Sequence, residues 1–456
     1  MIVPVMFRPR SASGPRYTSP LATNSQSTVA DCAAAIRLNH MNSSHVVIVT
    51  HSYPRFKEDW RSNFIEALAI AYAKAGLQVT VFVPNAAKWD RPCTDSHGIR
   101  IVRFNYAPFQ AWHVLGYGDS LKGDLSMNIV HMVLVPLLFL AGTFKLAILL
   151  RRENVSFLHC HWAIPNTPIA VTARLLSGTR AKIFTSFPGS DVTIIRRAGW
   201  LGRILARMIS RSDYLSCNSS DLKEDLVSAG IPSTRIDYEI YGVDNSKIAF
   251  DNDGRSLIRR RLGVTDDEIM LMMVGRFVAK KGFETAIRAM PSIKSCGKKA
   301  KLYIIGSGLL EHRYLDLIHT LHLEDDVVLP GEIIPSELGQ YYSASDVFLM
   351  PSERFPSDGL NVVVVEAMAC GRPIVASNVG GNDLVIEDGR NGYLHAAGNS
   401  SSLAEKVTRL ILSRELRVAM GNESSQMVRH KYNWNAIAQR YIDHYRRIST
   451  NQTIKD

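Results

Sequence analysis

The sequence of 456 residues has few cysteines, and none of the six lies close to another. It contains no C-x-x-C motif, and the cysteines are scattered along the whole chain: Cys32, Cys93, Cys160, Cys217, Cys296 and Cys370. Disulfide frameworks and structural zinc sites both depend on closely spaced cysteines, so this spacing argues against both. We expect reduced thiols in a cytoplasmic protein.

Glycine and proline are also modest, at 30 and 19 residues. With 46% hydrophobic and 21% charged residues, the composition is that of a globular protein large enough for two or three cores. Residues 1–44 contain four arginines, a single acid, Asp31, and no apolar run of signal-peptide length. A transit peptide fits this composition. We favour a disordered or wrongly assigned extension, because a strand pattern begins directly after Met41.

Positive charge is unevenly distributed. The net charge is +11, and residues 45–250 hold 23 Lys and Arg against 16 Asp and Glu, whereas residues 251–456 are nearly balanced. An excess of this kind indicates an anionic partner for the first half. We do not expect nucleic acid, because the sequence has no zinc finger, no RNA-binding signature and no basic run interleaved with aromatic residues.

From residue 45 onward, short apolar runs alternate with stretches of helical periodicity. The predicted strands are 46–49, 78–83, 99–104, 157–161, 182–185, 214–218, 270–274, 302–305, 327–329, 347–350 and 373–377. Continuous apolar runs of this length are typical of buried parallel strands. Two successive series predict an α/β protein with two Rossmann-like, doubly wound domains, which we place at 45–246 and 247–431.

Two segments of the first half have features of membrane contact. Leu125–Phe144 has no charged residue, but a span there would separate two strands of one sheet, so we expect a buried helix or one lying in the membrane interface. In Trp200–Arg211, the apolar residues share one face, and Arg203, Arg207 and Arg211 repeat on the other. This pattern fits two interpretations equally well. One is a solvated helix packed on the core, and the other is a helix that binds a diphosphate or acidic lipids.

In the second half, two cations follow a predicted strand. Arg276 comes directly after strand 270–274, and Lys281 follows five residues later, before a helix. Ligands of doubly wound sheets bind at the carboxyl ends of the strands. An Arg fork together with a Lys point charge suits a diphosphate.

A second segment points to the same edge. We predict a helix at Leu360–Cys370 against the strand propensity of its four valines, because a clean strand follows at once. The free N–H groups near Gly359 would face a phosphate. Asp358 and Glu366 are eight residues apart, about 12 Å along a helix axis, which suits contacts at the two ends of a nucleotide sugar.

Three motifs together carry a resemblance to a known family. They are G-R-x(4)-K-G from Gly275, D-G-x(6)-E-A-M-A-C-G-x-P from Asp358, and G-G-x(4)-I-x-D-G-x-N-G-Y-L from Gly380. In combination they resemble retaining glycosyltransferases of family 4, including those of bacterial exopolysaccharide and lipid-linked glycan assembly. The resemblance implies the two-domain GT-B fold with an interdomain cleft. It also implies a last helix, at 432–449, that crosses back to the first domain.

The resemblance assigns roles by position. It implies that Arg276 and Lys281 hold the donor diphosphate, that Asp358 contacts the donor sugar, and that Glu366 contacts the ribose. The catalytic residues so implied are Asp358, Arg276 and Lys281. The remaining donor-binding residues are Gly359, Leu360 and Asn361.

The first half departs from the family pattern at the cleft. The family usually carries His-Gly-x-Asp, whereas this sequence has Pro188-Gly189-Ser190-Asp191. Proline can neither donate a hydrogen bond nor move a proton. Acceptor-side roles therefore rest on Asp191 and on His161, although a structural histidine is the favoured interpretation of His161. The alternative function is a nucleotide-sugar-binding protein that has lost catalysis.

Other enzyme classes fit less well. A nicotinamide dehydrogenase needs G-x-G-x-x-G, and the nearest candidate, Gly306-Ser307-Gly308, lacks the third glycine. A D-x-D occurs at Asp251-Asn252-Asp253, but in the expected linker, so we assign no metal and no other cofactor. The expected donor is a UDP- or GDP-linked sugar. The expected acceptor is a saccharide, free or on a polyprenyl diphosphate, bound by a protein peripheral to the inner face of the cell membrane.

Overall fold

The structure is a computed structural model, and it describes residues 44–56, 59, 62–116, 121–122, 126–127, 133–189, 191–354 and 359–450. The extension at 1–43 and the predicted site residue Asp358 lie outside the described residues, as does part of the Leu125–Phe144 segment.

Two parallel sheets make up the described fold. The first has seven strands in the order β3-β2-β1-β6-β7-β8-β9, and the second has six in the order β12-β11-β10-β13-β14-β15. The strands of the first sheet are β1 His45–Val49, β2 Gln78–Pro84, β3 Arg100–Phe104, β6 Phe157–His161, β7 Lys182–Phe187, β8 Tyr214–Cys217 and β9 Ile236–Tyr238. A separate short antiparallel hairpin consists of β4 Leu121–Lys122 and β5 Ser126–Met127. The second comprises β10 Ile269–Val274, β11 Ala300–Ile305, β12 Val327–Gly331, β13 Val347–Met350, β14 Ile374–Ser377 and β15 Gly392–His395.

Helices connect the strands of each sheet. They are α1 Asn63–Lys74, α2 Leu134–Arg152, α3 Ala163–Ser177, α4 Asp191–Arg197, α5 Gly199–Ile209, α6 Ser220–Ser228, α7 Asn252–Arg261, α8 Phe283–Lys294, α9 Glu311–Thr320, α10 Pro335–Ala344, α11 Val362–Ala369, α12 Ser400–Leu412, α13 Arg414–Lys431 and α14 Trp434–Thr450. Two doubly wound α/β units are therefore confirmed.

The predicted strands all occur, most of them within two residues of their predicted bounds. The apolar runs are buried on both faces, as in β1, where all five residues are buried. The predicted helix at Leu360–Cys370 also forms but is shorter, at Val362–Ala369, and it buries Val364 and Val365. Strands β9 and β15 were not predicted, since each is only three or four residues long and lies at a sheet edge.

The helix α2 is only partly buried, so the expectation of a buried helix is too simple. Among the described helices, it alone is long and apolar enough to cross a membrane, and 44% of its most apolar window is buried. One face packs on α3, while Leu137, Leu140, Phe144 and Ile148 repeat at intervals of three or four residues and are exposed. This spacing forms one apolar stripe along the helix.

The amphipathic helix α5 leaves much of its apolar face exposed, whereas a helix packed on the core would bury that face. Its buried residues are Gly202, Ala206 and Ile209, and Gly202 lies against α4, where an added Cβ would be 2.0 Å from the Ile195 carbonyl oxygen. Trp200 is 74% exposed, and Leu201 and Ile204 are exposed as well. The larger apolar residues at the start of the helix therefore face outward, near the exposed Arg203 and Arg207.

The last helix, α14, is anchored on the first sheet by a buried polar cluster. The Tyr445 hydroxyl lies 2.9 Å from His159 Nδ1 and 3.0 Å from the Tyr72 hydroxyl, which is itself 2.9 Å from the same nitrogen. His159 Nε2 lies 3.0 Å from Ser186 Oγ. Burial lowers the pKa of His159 well below its ordinary value, so the ring is neutral.

The anchor predicts a graded loss of stability. Tyr445→Ala removes a fully buried ring and should lower the free energy of unfolding by about 3–5 kcal/mol. Tyr445→Phe should cost only about 1 kcal/mol, because the Tyr72 hydroxyl still satisfies His159 Nδ1. Urea denaturation of both variants measures the difference, and equal losses would show that the hydroxyl, and not the packing, carries the anchor.

Candidate active site

The predicted donor residues of the second half gather at the carboxyl edge of the second sheet. Arg276 follows the end of β10 and is exposed, whereas Lys281 lies in the short 3₁₀ turn before α8 and is partly buried. The stem of Lys281 passes over Gly275, where an added Cβ would lie 3.8 Å from its Cγ and Cδ. The two cations therefore lie at the end of the same strand.

The ammonium group of Lys281 reaches the start of α11. Lys281 Nζ donates to Asn361 Oδ1, and Asn361 Nδ2 donates to Ser352 Oγ at 3.3 Å. Asn361 is the N-cap residue of α11, and its side chain makes no capping bond to the helix. A lysine cation is thus held at the end of a helix where the backbone N–H groups point outward, an arrangement that favours an anion.

A glycine permits the loop of Lys281 to approach β13. Gly282 has φ +66°, and a Cβ at this position would lie 1.7 Å from the carbonyl oxygen of Pro351. The backbone also pairs here, because Glu353 N donates to Lys280 O at 2.9 Å. Any side chain at 282 would push the Lys281 turn away from the strand, which explains the glycine of the motif.

The two halves of the fold meet at Gly359. An added Cβ there would lie 2.1 Å from the Pro188 carbonyl oxygen and 2.3 Å from Asn218 Oδ1, both in the first half. Leu360 N donates to Asn218 O at 3.3 Å, and Gly380 N donates to Asp221 Oδ2 at 2.7 Å. The carboxyl edges of the two sheets therefore face each other across Gly359 and Leu360, the predicted donor loop before α11.

Glu366 lies inside the second half, about one turn into α11. Tyr342 donates a hydrogen bond to Glu366 Oε2 at 2.8 Å. Burial raises the pKa of Glu366, and the bond from Tyr342 opposes this rise. Tyr342 was not identified from the sequence, because it belongs to no motif and is separated from Glu366 by 24 positions.

The side chain of His161 is buried in the first half. Both of its ring nitrogens are unpaired within the described part of the chain, and the ring stacks on His159 with centroids 4.2 Å apart. Burial lowers the pKa of His161 to about 3. The ring is therefore neutral and a weak proton acceptor, which favours the structural interpretation.

Asp191 begins α4 and holds the loop that follows β6. Its Oδ2 accepts from Ala163 N at 2.7 Å, while Oδ1 has no partner among the described residues. Burial raises the pKa of Asp191 to about 7, against the opposing effect of the backbone N–H bonds. Asp191 thus links the ends of β6 and β7, where Pro188 also lies.

Within the described ranges, no group of three His, Cys, Asp or Glu side chains could hold a metal ion. Asp251 of the D-x-D sequence caps α7, where its Oδ1 accepts from Gly254 N at 3.0 Å. Its role in the structure is that of an ordinary N-cap.

Two family models match the chain. Residues 254–427 match "Glycosyl transferases group 1", and residues 62–239 match "Glycosyl transferase 4-like domain". Together the two regions include every strand of the two parallel sheets except β1.

Several curated proteins are similar to this chain. A glycosyltransferase of Methanocaldococcus jannaschii is 33% identical over 56% of this chain and 67% of its own length. The N-acetyl-alpha-D-glucosaminyl L-malate synthase of Bacillus anthracis is 28% identical over 70% of this chain and 81% of that protein. A GDP-mannose-dependent alpha-(1-6)-phosphatidylinositol monomannoside mannosyltransferase of Mycobacterium tuberculosis is 28% identical over 62% and 74%.

Solved structures share the fold at lower identity. Sucrose-phosphate synthase from Thermosynechococcus elongatus has a TM-score of 0.67 and 20% identity over 90% of this chain and 100% of that chain. The Anabaena protein HepE, in complex with UDP, has a TM-score of 0.63 and 18% identity over 88% and 99%. The two parallel sheets, the two family models and these relatives together show that the chain belongs to the group 1, family 4-type glycosyltransferases of GT-B fold.

Proposed function

We propose that the protein transfers a sugar from a nucleotide-sugar donor, with retention and without a metal ion, to a saccharide or lipid-linked saccharide. The observation that carries this proposal is the position of Lys281, whose ammonium group contacts the N-cap residue of α11. A diphosphate bound there would meet a cation and a row of backbone N–H groups, with Arg276 at the end of the same strand.

This arrangement supplies the electrostatic stabilisation that the reaction needs. When the bond between the sugar and the diphosphate breaks, negative charge develops on the departing diphosphate. Arg276, Lys281 and the start of α11 are placed to stabilise that charge, which a metal ion stabilises in other transferases. The departing diphosphate then accepts the proton of the acceptor hydroxyl, so the chemistry does not depend on a histidine at position 188.

The donor is a UDP- or GDP-linked sugar. Both nucleotides occur among similar proteins: HepE was solved with UDP, and the mycobacterial mannosyltransferase is named as GDP-mannose-dependent. The proposed ribose contact, Glu366, recognises a part that both nucleotides share, so it does not choose between them.

The alternative is a protein that binds the nucleotide sugar without turnover. It is favoured by Pro188, whose carbonyl oxygen faces Gly359 at the place where the family usually has a histidine. Proline leaves this position with an acceptor and no side-chain donor. Binding of the donor would be the same in both cases, so only turnover separates them.

We further propose that the protein attaches to the cytoplasmic face of the cell membrane. The apolar stripe on α2 and the outward-facing Trp200, Leu201 and Ile204 of α5 lie on helices that both pack against α3. Exposed Arg203, Arg207 and Arg211 accompany them. Apolar side chains at the surface together with arginines fit an anionic bilayer interface and a polyprenyl-diphosphate-linked acceptor.

The donor site predicts a loss of nucleotide affinity in Lys281→Ala. Removal of a charged hydrogen-bond donor should weaken binding of UDP or GDP by about 1.5–3 kcal/mol, which is roughly 10- to 150-fold. Arg276→Ala should have an effect of the same kind. Isothermal calorimetry with each nucleoside diphosphate measures the affinity, and the melting temperature should change little.

Lys299→Ala is the matched control, because Lys299 is an exposed lysine that precedes β11 at the opposite, amino edge of the same sheet. It removes the same charge and should leave nucleotide affinity unchanged. If Lys281→Ala and Arg276→Ala both bind UDP and GDP as tightly as this control, the diphosphate site lies elsewhere.

The membrane proposal predicts salt-sensitive binding to vesicles. Each arginine near an anionic surface contributes on the order of 1 kcal/mol, and salt screens this attraction. The triple change of Arg203, Arg207 and Arg211 to Ala should therefore release the protein from phosphatidylserine-containing vesicles at low salt without unfolding it. Flotation on a density gradient measures the bound fraction.

A triple change of the exposed Arg260, Arg261 and Arg313 to Ala removes the same net charge from the second half and should leave flotation intact. Phe144→Gln on the apolar stripe should weaken flotation at both low and high salt, because its contribution is not electrostatic. A wild-type protein that stays unbound at low salt would refute membrane attachment and favour a soluble acceptor.

A further inference from the structure

The side chain of Asn218 is a buried amide beside Gly359. Asn218 follows β8 and is 2% exposed, yet neither Oδ1 nor Nδ2 has a hydrogen-bond partner within the described part of the chain. An unpaired buried amide destabilises a protein by an amount comparable to a lost hydrogen bond, and such groups are rare. Its persistence calls for a partner that the protein chain does not supply.

The backbone fixes the place of this amide. Asn218 O accepts from Leu360 N at 3.3 Å, and Ser219 caps α6 by accepting from Leu222 N at 3.1 Å. An added Cβ on Gly381 would lie 2.2 Å from Asn218 O. Residue 218 is thus held between the start of α6 and the predicted donor loop.

The side chain lies beside that loop. An added Cβ on Gly359 would lie 2.3 Å from Asn218 Oδ1 and 2.9 Å from Nδ2. Gly359 is two residues before Asn361, the N-cap residue that Lys281 contacts, and directly follows Asp358. If the diphosphate lies at the start of α11, the group attached to its far phosphate lies towards Gly359 and hence towards Asn218.

The end of the neighbouring strand, β7, supplies no N–H hydrogen-bond donor at Pro188. Cys217 pairs with Phe187 in the register of β7 and β8, so Pro188 and Asn218 emerge side by side at the edge of the sheet. Pro188 presents a carbonyl oxygen and has no N–H group. Asn218 brings both a donor and an acceptor, which is the combination that a sugar hydroxyl needs, because a hydroxyl both donates and accepts.

We propose that the Asn218 side chain hydrogen-bonds hydroxyl groups of the transferred sugar, and so acts as a specificity-determining residue for the sugar part of the donor. The inference rests on the proposed function, since it takes the diphosphate to lie at Lys281 and α11. It assigns to Asn218 the hydrogen bonding that Pro188 cannot provide. Nucleotide recognition remains with the second half of the chain.

The test compares a nucleotide sugar with its own nucleoside diphosphate. Calorimetry with UDP-glucose, UDP-N-acetylglucosamine, UDP-galactose and GDP-mannose first identifies the sugar nucleotide that the wild type binds most tightly. For Asn218→Ala, affinity for that compound should fall about tenfold, while affinity for UDP or GDP alone should not change. Asn218→Asp, which keeps the shape but loses the N–H donor, should show a loss in the same direction.

Asn391→Ala serves as the matched control. Asn391 is equally buried, but its Oδ1 accepts from Glu387 N at 2.8 Å and its Nδ2 donates to Val385 O at 3.0 Å. Asn391→Ala should lower the melting temperature by several degrees and keep the preference for the sugar nucleotide. Asn218→Ala should show the reverse, because it removes no hydrogen bond of its side chain to the protein.

The outcomes are distinct. A selective loss of sugar-nucleotide affinity in Asn218→Ala supports the inference. An unchanged affinity for both ligands, or an equal loss for both, overturns it while the donor site stands. If the wild type binds none of the four nucleotide sugars, the proposed function itself fails, and the role of Asn218 fails with it.

Discussion

The close approach of Gly359 to the first half is the constraint on which the rest of the site depends. An added methyl group at this position would lie about 2 Å from both Pro188 and Asn218, so only glycine lets the two sheet edges meet in this way. The contact brings the start of α11, with Lys281 and Asn361, opposite the ends of β7 and β8. A donor bound at α11 would therefore touch groups from both halves, which is what transfer between a donor and an acceptor requires.

The two edges differ in charge and in chemistry. The edge of the second half holds the cations and the helix N-terminus, which suit a diphosphate. Within the described residues, the edge of the first half has buried side-chain atoms without hydrogen-bond partners, in His161, Asp191 and Asn218. Burial holds His161 neutral and raises the pKa of Asp191 to about 7. This division fits anion binding on one side and recognition of uncharged hydroxyl groups on the other.

The strands and the position of Arg276 and Lys281 at one strand end could be predicted from the sequence, because both depend on local patterns. Continuous apolar runs marked the parallel strands, and the spacing of Arg276 and Lys281 across a turn placed both at one strand end. Tyr342 and Asn218 could not be found in this way, since each gains its meaning from a contact with a distant part of the chain, Glu366 for the first and Gly359 for the second. The amphipathic pattern of α5 was visible, but its orientation was not, because burial of Gly202 depends on its close approach to Ile195 of α4.

We propose that this chain catalyses transfer without a metal ion and despite Pro188. The decisive experiment follows release of UDP or GDP from a nucleotide sugar that binds, in the presence of EDTA and with a lipid-linked or free saccharide as acceptor. We expect release that saturates with donor, depends on the acceptor and is unaffected by EDTA. Tight binding of the same nucleotide sugar with no release above that of Lys281→Ala, for any acceptor tried, would contradict it and show a binding protein.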